Sequence, residues 1–61
     1  MGKMVEFETA SGTVAIDMEA IVSVEDTGEG CLILYQAGSH KETVFVKDSY
    51  SHVIHKVAHG D

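Results

Sequence analysis

Ten Asp and Glu against four Lys and no Arg leave a chain of 61 residues with a formal charge of -6, a balance that excludes a protein working by neutralising phosphates. Without Arg the chain also lacks the side chain that makes bidentate contacts to phosphate, carboxylate and guanine, so no direct nucleic-acid contact is expected. A single domain of this length buries only about 60% of the surface its unfolded chain exposes. Disulfides, a metal or self-association usually supply the difference, and a lone Cys31 cannot form an intramolecular disulfide.

In chain order, Val5, Phe7 and Thr9 alternate with Glu6 and Glu8, which predicts a half-buried strand over 4–9. Ser11-Gly12 turns the chain, and Val14 and Ile16 resume the alternation over 13–17, completing a β-hairpin. Residues 17–20 can form one helical turn or a tight corner. The β-branched residues that follow favour the corner, and a third strand runs over 21–26. Asp26 to Gly30 form a turn whose two glycines can each supply a positive φ. Strands over 31–36 and 42–47 follow, separated by a second turn at 37–41.

Asp48 or Ser49 can then cap a helix over 49–59, which Gly60 stops. At about 100° per residue, Tyr50, Val53, Ile54, Val57 and Ala58 share one face, with His52, His55, Lys56 and His59 on the other. So short a helix is marginal alone, and its apolar face must lie on the sheet. The fold class expected is α+β: a small antiparallel five-stranded β-meander or curled sheet with one C-terminal α-helix.

CLILY and TVFV are apolar at nearly every position, as strands buried on both faces are. One helix covers one face. Leu32, Leu34, Val44 and Val46 therefore form the candidate oligomer interface, unless the sheet curls into a barrel that buries its own interior. Cys31, inside the same run, reads as a small core residue.

Chemistry is sparse. The sequence has no glycine-rich phosphate loop, nucleophile elbow or catalytic triad at recognised spacing, so no catalytic residue and no cofactor is expected. His52, His55 and His59 stand three and four apart but complete no zinc motif, and they read as a polar helix face; no metal is expected. Two surfaces remain. Glu6, Glu8, Glu19, Glu25 and Asp26 form a candidate acidic rim for a basic protein partner. Gly38, His40 and Lys41 offer donors and open amides to a small anionic ligand.

The segments AIDMEAIVSVED and VFVKDSYSHVIHKV carry a resemblance. Ile21, Val24 and Glu25 in the first, and Val46, Lys47, Asp48, Ser49, Val53, Ile54, Lys56 and Val57 in the second, are similar in spacing to FlbD-like small flagellar and swarming motility proteins. That resemblance implies a β-meander with a C-terminal helix and an interaction role without a catalytic site. Small phage proteins of this size also use compact β-folds to bind host proteins or capture small signalling molecules. The expectation is a non-enzymatic homo-oligomeric module that binds a protein partner as regulator or inhibitor, the alternative being a capture protein for an anionic or nucleotide ligand held between subunits. No apolar run reaches the roughly 18 residues of a membrane span, and the first 20 residues lack a signal peptide's apolar core. A cytoplasmic location, in a bacterium or a phage-infected host, and no membrane partner are expected.

Overall fold

Alternating side chains build the first unit. β1 (Met4–Thr9) and β2 (Gly12–Asp17) pair antiparallel, with Val5 opposite Ile16 and Phe7 opposite Val14. The computed structural model describes residues 2–60. At the tip of this ribbon Gly12 takes a φ of 121°, and Thr9 Oγ1 donates to its carbonyl at 2.7 Å.

The ribbon does not extend into a five-stranded sheet. A single 3-10 turn (Met18–Ala20) stands where the sequence favoured a plain corner, with the Asp17 carboxylate accepting from the Glu19 amide at 3.0 Å. The Met18 amide meanwhile donates to the Lys3 carbonyl at 2.8 Å. These two bonds divert the chain off the ribbon, so β3 (Ile21–Asp26) pairs only with β4 (Cys31–Ala37), and β4 with β5 (His40–Val46). The architecture is therefore one two-stranded and one three-stranded antiparallel sheet with a C-terminal helix. β5 begins two residues before the sequence placed it, because Gly38, at a φ of 68°, and Ser39 close a two-residue loop of the type that has glycine first.

The helix, α1 (Tyr50–His59), has Ser49 as its N-cap, its hydroxyl accepting from the His52 amide at 3.3 Å, and Gly60 in the left-handed region after its last turn. Val53 is fully buried and Val57 packs on the core, but Tyr50 and Ile54 stay 40% and 37% exposed, and Ala58 is exposed too. The helix is rolled toward Lys56, away from the face predicted. Lys56 Nζ donates to the Glu6 carbonyl at 2.5 Å and lies 5.2 Å from the centre of the Phe7 ring. The ammonium gains a charge-assisted hydrogen bond and a cation–π contact there.

The core lies between the three pieces: Val5, Phe7 and Ile16 from the ribbon, Cys31, Ile33 and Val46 from the inner face of the larger sheet, and Val53 from the helix. Backbones approach closely at the turn into β4. Gly28 takes the positive φ, 89°, while Gly30 does not. A Cβ on Gly30 would run into the Val46 carbonyl and come within 2.8 Å of the Phe45 ring. Gly30 is there for space, since an added methyl must displace backbone. Gly30→Ala should accordingly destabilise by about 2 kcal/mol, in the range of overpacked cores, whereas Gly38→Ala, with nothing within 4 Å of its Cβ, should lose roughly the 1 kcal/mol of a left-handed residue. Urea denaturation of both variants measures the difference.

Candidate functional site

Strand register decides which apolar residues can serve an interface. On the larger sheet Cys31, Ile33 and Tyr35 point inward with Val44 and Val46. The opposite face carries the rows Glu25–Leu32–Phe45, Ser23–Leu34–Thr43 and Gln36–Lys41. The expected interface set is thus split by the pleat. Leu32 and Leu34 lie on the outer face, half-buried, while Val46 is fully buried and Val44 packs against the core. Two consecutive apolar runs conceal which member of each pair faces in, and pairing settles it.

Phe45, which the sequence reading passed over, takes their place on the outer face, 42% exposed and opposite Leu32. Its only signal in the sequence is its size between two valines. No element of the fold covers Leu32, Leu34 and Phe45 among the described residues, because the ribbon and helix both contribute to the core on the inner side. Next to this face the β3–β4 turn and the start of α1 border an open recess of about 390 Å³, lined by Asp26, Gly28, Glu29, Gly30, Lys47, Ser49 and Tyr50. Two carboxylates against one ammonium oppose an anion there.

The acidic candidates do not form one rim. Glu6 and Glu8 project from the ribbon on the side away from Val5 and Phe7, and Glu8 accepts from the Thr13 hydroxyl at 2.9 Å. Glu19 stands on the 3-10 turn and Glu25 on the outer sheet face. Asp26 is used locally, accepting from the Gly28 amide at 2.9 Å. Alternation along a strand and side-chain caps in turns disperse charges that look contiguous when read in a line.

Among the anion candidates His40 is paired locally. His40 Nε2 lies 2.8 Å from Glu42 Oε2, and Gln36 Nε2 donates to the carbonyls of Gly38 and His40 at 3.0 and 3.2 Å. Gly38, His40 and Lys41 are exposed at a hairpin tip, and a carboxylate beside the imidazole opposes an incoming anion. On the helix the histidine stripe divides. His52 Nδ1 is 3.5 Å from Asp48 Oδ2, while the rings of His55 and His59 face each other with centroids 4.3 Å apart. No group of three or more His, Cys, Asp and Glu side chains gathers around a common point among the described residues.

Cys31 is fully buried, its Sγ 3.6 Å from the Asp48 carbonyl. Desolvation first, then the charges of Asp26 and Asp48, push its pKa above the ordinary thiol value. The unfolded chain, with a thiol pKa near 8.5, deprotonates before the folded one does. The Cys31 contribution is therefore complete below about pH 8.5 and falls as pH rises from there toward the folded pKa. Thermal unfolding between roughly pH 7 and pH 10 should show a decline that is shallower in Cys31→Ala, and thiol labelling should track global unfolding.

Among the described residues no helix is long and apolar enough to cross a membrane. Comparison with known protein families, with curated proteins and with solved structures gave no match in any of the three.

Proposed function

We propose that the chain is a non-enzymatic interaction module that self-associates through the outer face of β3–β4–β5 and offers its acidic ribbon to a basic protein partner, as a regulator or inhibitor. The carrying observation is the Leu32, Leu34 and Phe45 face, left open by a fold whose ribbon and helix are both committed to the core. Among the described residues seven buried hydrophobic side chains make a small core, and a domain of this size gains stability from a second copy. The interaction role implied by the FlbD-like spacing agrees with this reading.

The charges on the face favour a second copy of the chain itself. Glu25 stands at one corner and Lys41 at the diagonal corner, with Leu34 between them. A two-fold axis in the interface plane, over Leu34 and perpendicular to the Glu25–Lys41 line, sets Glu25 of each copy opposite Lys41 of the other, as a self-complementary contact requires. Glu6 and Glu8, on the ribbon, remain outside this contact and are the surface left for a basic partner.

Sedimentation velocity at micromolar concentration should find a dimer. Phe45→Glu should weaken it at least tenfold, about 1.4 kcal/mol, with unchanged circular dichroism. Glu25→Lys should weaken it and Lys41→Glu added to it should restore it, while Glu6→Lys with Glu8→Lys should leave it intact. A wild-type monomer at these concentrations would overturn the proposal.

A further inference from the structure

The last turn of α1 holds two imidazoles in contact, His55 and His59, one helical turn apart, with ring centroids 4.3 Å apart and planes tilted by 43°. Residues four apart stack on one helix face, and a pair of histidines at this spacing is half of a zinc-binding helix motif. Two imidazole nitrogens bound to one zinc at 2.0–2.1 Å stand about 3.3 Å apart at the tetrahedral angle. Rings whose centroids are already 4.3 Å apart are within reach of that arrangement.

This turn is fixed in place by two neighbours. On one flank Lys56 reaches the Glu6 carbonyl and the Phe7 ring. At the end of the helix the Gly60 amide donates to the Lys56 carbonyl at 2.7 Å, and Gly60 is buried against the Lys3 stem. These contacts tie down a helix end that would otherwise fray. His52, a turn earlier, is turned toward Asp48, and His40 is on a hairpin tip beside Glu42. The stripe of three histidines is therefore a pair plus one.

We infer that His55 and His59 form a bidentate clamp for a divalent transition metal of the imidazole-binding class, zinc or copper. Borderline ions of this class favour neutral imidazole. Water fills the remaining positions on a single chain, and the same pair from another chain can replace it to complete four ligands. The clamp is separate from the outer sheet face and does not depend on association there.

Calorimetric titration of the full chain with Zn2+ and with Cu2+ at about pH 7.5, where imidazole is mainly neutral, tests the clamp. One metal per chain, or one per two chains, is expected, together with a rise in Tm. His55→Ala and His59→Ala should each weaken binding at least tenfold, and His52→Ala and His40→Ala should not change it. All four positions are exposed, and circular dichroism checks that each variant keeps its helix. The Cu2+ complex should show nitrogen couplings in its electron paramagnetic resonance spectrum that are lost in the paired variants. Wild-type affinity in either His55→Ala or His59→Ala, or no binding at millimolar metal, overturns the inference.

Discussion

One ammonium ties the ends of this fold together. Lys56 meets the Glu6 carbonyl and the Phe7 ring across 50 residues of chain, joining the helix to a ribbon that shares no strand pairing with the larger sheet. The roll of the helix follows from it. With Lys56 drawn inward, Val53 and Val57 enter the core, and Tyr50 and Ile54 are turned out. The aliphatic stem of a lysine can cover apolar surface while its charge finds a polar partner, and here that lets a side chain assigned to the wet face help close the core. It also steadies the helical turn on which His55 and His59 stand.

The same division of labour explains why one side of the larger sheet is bare. A two-stranded ribbon and a ten-residue helix together supply one layer, and that layer is spent on the side of Cys31, Ile33 and Val46. Among the described residues nothing of comparable size remains for the side of Leu32, Leu34 and Phe45. The apolar character of both faces, visible in CLILY and TVFV, is thus a statement about layers: one is built from this chain, and the other is proposed to come from a second.

Secondary structure was largely legible because its signals are local. Alternation marked β1, the hydroxyl of Ser49 and the backbone freedom of Gly60 marked the helix ends, and β1 and β3 have the predicted bounds. Relations between elements were not legible. Whether β2 pairs with β3 depends on the hydrogen bonds of a 3-10 turn, one of which comes from as far away as Lys3. The inward member of each apolar pair depends on strand register, so Val44 and Val46 could not be told from Phe45 by composition. The acidic residues read as one rim because a sequence does not show that Glu8 and Glu25 belong to different sheets, or the turn that consumes Asp26. Gly30 shows the same limit: its reason is a neighbour 16 residues away, the Val46 carbonyl.

The ladders join only consecutive strands, β1 to β2, β3 to β4 and β4 to β5, and this has a kinetic consequence. Each hairpin closes a short loop, so both sheets can assemble rapidly and independently, as proteins dominated by local contacts do. The slow step is then the long closure that brings the helix back onto the ribbon, since its loop entropy is largest and little backbone pairing rewards it. The reverse path begins at the same place. Ribbon and helix are both held to the larger sheet by side chains more than by ladders, so the three-stranded sheet is the part with the most backbone pairing to lose when the native state opens.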